Sequence, residues 1–452
     1  MRAFPGSMRA PAAGTRAAAA PSTGRKAAGY FFVVPLLIMF WFVFYQNLPG
    51  GSFKLTEGAG DRLIKIGTIG LSIAVIATRW SHTRLLLKEI NPGMLAFMVL
   101  IPLSAAWSID SAATLLRYVT LLSIVLLCLA LALAGWHRQR IQQAALPPVM
   151  AILVLSLVTG VIDPQLVKEI GTDISLKDAW RGITYQKNQF GTTASIATIF
   201  CAHRLLAPGR HSIWTFVGIA TALTCLVLSK SSTSLLGTIV VVFFMVLVLR
   251  VPVVKRRFTS LVVIGTFTTI LVYALAVQNL IPGVHKLLAP VMHLTGKDMT
   301  FSARSIIWDV VKQHAAAAPW LGSGYAAYWP PEPRPGWPSY VFMYIMNFYP
   351  TSSHNGYLEI MNDLGRVGLA CLVAFLIYFL KQGLQLLPLD RGQAVLYLGL
   401  LFQQMVDNLS ESEWFSRTAT CSILLLASIC LSRALVEQRL TTQLTSAGGR
   451  RR

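Results

Sequence analysis

Four short clusters gather hydroxyl, amide, cation and imidazole groups in a chain that is otherwise largely apolar. The first, Trp180-Arg181-Gly182-Ile183-Thr184-Tyr185-Gln186-Lys187-Asn188, runs straight into an apolar stretch. Its ordinary reading is an interfacial anchor, because Arg, Lys, Trp and Tyr collect at membrane boundaries. Its chemical reading is an anion site, because a helix N-terminus with a cation beside it attracts phosphate. The second, Ser229-Lys230-Ser231-Ser232-Thr233-Ser234, sets one lysine among hydroxyls in a turn of a few residues, and would serve equally as a solvated turn. In the third, Ser302-Ala303-Arg304-Ser305-Ile306-Ile307-Trp308, the arginine leads an amphipathic stretch and has a surface role as its alternative. The fourth is Ser352-Ser353-His354-Asn355-Gly356-Tyr357-Leu358-Glu359. His354 titrates near neutrality and can take a proton from an attacking hydroxyl or donate a hydrogen bond. Weaker signals are Trp107-Ser108-Ile109-Asp110 leading to Arg117, and Asn408-Leu409-Ser410-Glu411-Ser412-Glu413. Fixed cations suit a pyrophosphate, and a His or carboxylate suits deprotonation of a hydroxyl. No acidic metal-binding triplet, phosphate-binding glycine loop or dinucleotide fingerprint occurs, so neither a metal nor a nucleotide is expected.

The elements that position these clusters are membrane spans. Only 13% of the 452 residues are charged, against about 25% in soluble domains. Twelve apolar runs approach the ~20 residues needed to cross a bilayer. They cover 30–46, 65–79, 92–107, 118–135, 146–162, 188–203, 213–228, 234–249, 258–277, 364–380, 393–407 and 418–433. With a cytoplasmic N-terminus, every short loop on that side is basic, and its acids are Glu89, Asp390 and Glu437. This is the positive-inside pattern. The net charge of +21 therefore reports topology and needs no nucleic-acid ligand. All four clusters then fall on the outer side. The expected organisation is a disordered basic cytoplasmic tail (1–29) feeding an uncleaved first span, nine spans (30–277), one large outer loop (278–363), three spans (364–433) and a basic cytoplasmic tail (434–452). The six cysteines sit inside apolar runs and read as small core residues.

At these residues the chain resembles the O-antigen ligase/polymerase family of membrane glycosyltransferases, most nearly its ExoQ-type exopolysaccharide polymerases. The likeness rests on the motif from Trp107 to Arg117, Lys187-Asn188, Ser229 to Ser231, Arg304 to Trp308, Gly322 to Tyr325, His354 to Glu359, and Asn408 to Ser412. It spans roughly 30–433. It implies an all-α, GT-C-like polytopic fold with about twelve transmembrane helices and a large periplasmic loop, in the bacterial inner membrane with its active face periplasmic. It implies an undecaprenyl-pyrophosphate-linked oligosaccharide as donor, and a glycan or lipid A core as acceptor. No cofactor is implied; membrane lipid and the flippase and chain-length or export proteins are the expected partners. Carried over, His354, Arg304 and Glu359 would be catalytic, while Arg181, Lys187, Asn188, Lys230, Asn355 and Arg117 would hold the pyrophosphate. Lipopolysaccharide ligases tend to use an arginine near the Lys187-Asn188 position. Arg181 stands six residues upstream, and this departure favours polymerase over ligase. A transporter, which would place ionisable residues in mid-bilayer, and a non-catalytic assembly scaffold are the rival readings.

Overall fold

The apolar runs fold as helices whose starts are fixed by short polar side chains. The computed structural model describes residues 59–136, 141–169, 178–209, 211–277 and 302–449. The expected tail 1–29, the span 30–46, the large loop before Ser302 and the last three residues lie outside the described residues.

Among the described residues, thirteen of the helices carry the architecture. They are α1 (Ala59–Thr78), α2 (Trp80–Leu87), α3 (Pro92–Leu103), α4 (Ser111–Ala134), α5 (Ile141–Ile162), α6 (Lys187–Leu206), α7 (Ile213–Leu228), α8 (Ser232–Arg250), α9 (Thr259–Val277), α10 (Ser302–Ala317), α11 (Gly356–Leu386), α12 (Arg391–Asp407) and α13 (Ala419–Gly449). The described residues form no strand, and their one β-bridge joins Lys168 to Trp180. Asn91, Asp110, Ser212, Asn355 and Asp390 each accept backbone N–H groups at the first turn of α3, α4, α7, α11 and α12. Such caps satisfy donors that a helix leaves unpaired.

The all-α membrane character stands; among the described residues, length and apolarity alone mark fewer than the expected spans. Among the described residues, six helices are long and apolar enough to cross a membrane, or seven if α2 and α3, bent by 97°, make one broken span. The shortfall has a physical cause. Every residue from Phe190 to His203 of α6 and from Ala394 to Asp407 of α12 is buried. Helices enclosed by other helices need not be apolar on the outside. α6 carries Thr192, Thr193, Ser195 and Thr198, and α12 carries Gln403, Gln404 and Asp407. α8 packs on both, and α11 and α13 close around α12.

Helix α11 is broken at Gly365, whose backbone (φ 62°, ψ −159°) lies in a region essentially reserved for glycine. A break frees backbone groups that cannot be left unpaired at membrane depth. The segment 318–324 threads the gap and pairs them. Ser323 and Gly324 donate to the Asn362 and Asp363 carbonyls, while Arg366 and Val367 donate to those of Pro319 and Trp320.

Candidate active site

The Trp107–Arg117 motif works as a clamp on this same segment. Trp107 Nε1 donates to the Leu321 carbonyl at 3.0 Å and the Ile109 amide to that of Ser323. Thr114 Oγ1 donates to the Tyr325 carbonyl and Arg117 Nη2 to that of Trp329 at 3.1 Å. The segment from Leu321 to Trp329 is thereby fixed between α4 and the broken α11.

Helix α10 is turned by its tryptophan. Ile307, Trp308 and Val311 are buried with Phe342 and Leu358, and Trp308 Nε1 donates to the Ser353 carbonyl at 2.9 Å. Arg304 stands one turn before Trp308, so the same helix face carries it toward residues 353–354. His354 occupies the left-handed region (φ 50°), which a histidine adopts only when its surroundings hold it there. Asn355 then caps α11, its Oδ1 accepting from Tyr357 and Leu358.

These residues converge on Glu411, a carboxylate in the loop after α12. Glu411 Oε1 accepts from Asn188 Nδ2 at 2.6 Å and from Arg304 Nη2 at 3.4 Å; Oε2 lies 3.5 Å from His354 Nδ1. Burial alone would raise the Glu411 pKa. The hydrogen bond and charge of His354, then Arg304 and Asn188, outweigh it and hold the carboxyl below the usual range. The loop is locked from both sides. Asn408 Oδ1 accepts from the Glu413 and Trp414 amides, and the Gly356 amide donates to the Asn408 carbonyl. The Ser412 hydroxyl accepts from the Asn355 amide and meets Glu359, whose Oε2 also accepts the Ser353 amide at 2.8 Å.

Beside Glu411 lies a cavity of about 190 Å³. His354, Glu359, Asp363, Glu411, Glu413, Arg117 and Arg417 line it together with Tyr325, Trp329 and Trp414. The expected site residues therefore divide. Arg304, His354 and Asn188 meet at Glu411, while Glu359 and Arg117 face the cavity. Asn355 spends its oxygen on a helix cap. The first amide of α6, that of Lys187, donates to Glu169 Oε2 at 2.6 Å, so a carboxylate already sits where a phosphate was expected. The Arg181 guanidinium is bound to the carbonyls of Lys168 and Leu166. Lys230 is exposed and outside the cavity wall; its neighbours Ser229 and Ser231 pack against Gly191 of α6.

Two comparisons bear on this arrangement. Residues 217–373 match the family model described as "O-Antigen ligase". The chain is also 28% identical, over 223 residues, to the exopolysaccharide production protein ExoQ of Rhizobium meliloti (strain 1021). Over these stretches the chain is similar to the O-antigen ligase/polymerase family. The ExoQ match covers 46% of this chain and about half, 48%, of that protein. The region matched to the family model brings Lys230, Arg304, His354 and Glu359, whereas Arg117, Asn188 and Glu411 come from outside it.

Glu411, Glu413, Asp363 and Arg417 were not among the expected site residues. The signal that could have found them is the density of acids between Asn408 and Glu413, in a chain with 18 Asp and Glu in all. Glu413 gives a direct prediction. Burial, with the Glu411 charge adding and the Thr418 hydroxyl opposing, lifts its carboxyl from 4.5 to about 7. An acid raised on folding carries no penalty below the unfolded value and the full penalty above the folded one. Stability of the solubilised protein should fall between pH 4.5 and 7 by at most about 3 kcal/mol from this group, and level off above. Thermal unfolding of Glu413→Gln at pH 5, 6, 7 and 8 should show a flatter profile than the unaltered protein. An unchanged slope would mean that Glu413 does not titrate in this window.

Proposed function

We propose that this protein polymerises oligosaccharide repeat units carried on undecaprenyl pyrophosphate, by glycosyl transfer at the periplasmic face of the inner membrane. The observation that carries the reading is the convergence of Arg304, His354 and Asn188 on one buried carboxylate at the mouth of a cavity. In the reaction an acceptor hydroxyl attacks the anomeric carbon, the bond from that carbon to the diphosphate oxygen breaks, and the hydroxyl proton passes to His354 and then to water. Arg304 faces the charge that grows on the leaving diphosphate, where a fixed cation acts most strongly. No metal and no nucleotide sugar takes part. The topology proposed with it is twelve spans with both termini cytoplasmic and the loop 278–363 periplasmic. The partners are the flippase that delivers the donor and the export proteins that remove the product.

A membrane-bound carrier also needs an apolar lane. A groove of about 320 Å³ between α8, α9 and α12, with Leu236, Val240, Ile270, Val406 and Leu409 on its walls, supports the reading. Leu409 stands two residues before Glu411.

Arg304→Ala and His354→Ala should each reach the membrane at normal levels on immunoblots, in cells lacking the native copy. Each should accumulate single carrier-linked repeat units in place of long polymer. The matched family description favours one second reading, a ligase that passes finished polymer to lipid A core; long carrier-linked polymer would then accumulate. Unchanged glycans in both variants would remove these residues from the reaction.

A further inference from the structure

The cavity beside Glu411 carries more chemistry than a diphosphate can use. Arg117 is 3% exposed and Asp363 2% exposed, and both line it. Arg117 spends Nη2 on the Trp329 carbonyl, yet its Nε has no hydrogen-bond partner. Asp363 accepts the Ala326 amide on Oδ2 at 2.6 Å, yet its Oδ1 has none. A buried charged group left partly unsatisfied is costly, and such positions call for an explanation in a ligand or water. Here one unsatisfied atom is a donor and the other an acceptor, on α4 and α11 at one wall.

Diphosphate oxygens only accept hydrogen bonds, so they cannot satisfy Asp363. The same wall carries three further carboxyl groups, Glu359, Glu411 and Glu413, and the ionised Glu411 would repel an anion. A sugar hydroxyl donates and accepts at once, and so can bridge an aspartate oxygen and an arginine N–H. The rings of Tyr325, Trp329 and Trp414 complete the lining with apolar surface for the C–H faces of a sugar. Arg304 and Asn188 reach Glu411 without forming part of this wall.

We infer that the cavity is the seat of the acceptor saccharide, read through its hydroxyl groups by Asp363 and Arg117, while the diphosphate lies on the Arg304 side of Glu411. The inference rests on the glycosyl-transfer reading above and deepens it. It moves Arg117 from the donor's phosphate to the acceptor's sugar. Arg417, in the loop between α12 and α13 beside the same cavity, is the second arginine of the pocket.

The test uses full-length protein in detergent and two probes. One is the repeat-unit oligosaccharide freed of its carrier by mild acid, and the other is inorganic pyrophosphate. Binding is followed by titration of tryptophan fluorescence, since Trp329 and Trp414 line the pocket. Asp363→Asn exchanges an acceptor for a donor, and Arg117→Gln removes the charge. Each should weaken oligosaccharide binding by about tenfold to a hundredfold, as expected for a hydrogen bond to a charged group, and leave pyrophosphate binding unchanged. Arg417→Gln, outside the helices, should weaken oligosaccharide binding by about tenfold, and it keeps the test decisive if a buried variant fails to fold. Saturable oligosaccharide binding that is the same in unaltered and variant proteins would overturn the assignment. So would loss of pyrophosphate binding in its place, or no oligosaccharide binding by the unaltered protein. Failure of the parent reading looks different: cells lacking the protein would keep their full-length polymer, whatever the pocket binds.

Discussion

Glu411→Ala should abolish chain growth while leaving the protein in the membrane. The carboxylate joins three elements through Asn188 of α6, Arg304 of α10 and His354 ahead of α11. Its removal leaves Arg304 without its counter-charge and the half-buried Asn188 amide without its acceptor. His354 then loses the carboxylate that stands 3.5 Å from its Nδ1, and with it one constraint on the ring. A positioned general base contributes roughly 10²–10⁴-fold, and an arginine aimed at developing charge adds a comparable factor. A fall in turnover of about 10³-fold is expected, seen as loss of long glycan at equal protein level. Glu411→Gln should retain part of the activity, because its carbonyl oxygen still accepts from Asn188. The alternative is that Glu411 competes with the diphosphate for Arg304. Glu411→Ala would then bind pyrophosphate more tightly and keep its turnover, and that pair of results would sink the positioning role.

Gly365→Ala should be strongly destabilising for a single added methyl group. Two penalties coincide there. The backbone conformation is one that side chains avoid, at a cost of about 1–3 kcal/mol. An added Cβ would also stand 2.3 Å from the carbonyl of Trp320, which is backbone and cannot swing aside. If the segment 318–324 moves away, it uncovers the carbonyls of Asn362 and Asp363 at the break. A total loss of about 3–5 kcal/mol is expected, at the diagnostic end of single substitutions. Thermal unfolding in detergent measures it directly, with low membrane levels as the cellular counterpart. Unfolding at the normal temperature would mean that the helix closes its break without the threaded segment.

Much of this architecture can be read along the chain, and the reasons for the exceptions are specific. The apolar run 213–228 is helix α7, Ile213–Leu228, because a serine cap and a largely apolar run mark it locally. The count of spans was not local information. The polarity of α6 and α12 makes sense only once each is enclosed, and enclosure depends on helices far away in the chain. Arg304 and His354 stood out by type and neighbourhood. Their meeting point did not, since Glu411 lies 107 residues from one and 57 from the other. The Trp107–Arg117 motif was visible as a pattern, yet its carbonyl partners are more than 200 residues downstream. Lys187 and Arg181 show the converse. Their residue types suit an anion, and the fold supplies one in Glu169 or spends them on loop carbonyls.

The enclosed polarity of α12 bears on how the chain enters the bilayer. An aspartate at the centre of a lone helix costs about 2.5–3.5 kcal/mol during insertion, and less near a helix end. α12 carries Asp407 together with Gln393, Gln403 and Gln404. Facing lipid by itself, it would pair Gln403 with Asp407 and Tyr397 with Gln393 but still carry these polar groups into hydrocarbon. Its neighbours α6, α8 and α11 all precede it in the chain, and α13 alone follows. By the time α12 leaves the ribosome, its berth among earlier helices has already been synthesised. The order of the helices along the chain is thus also a workable order of assembly at the translocon.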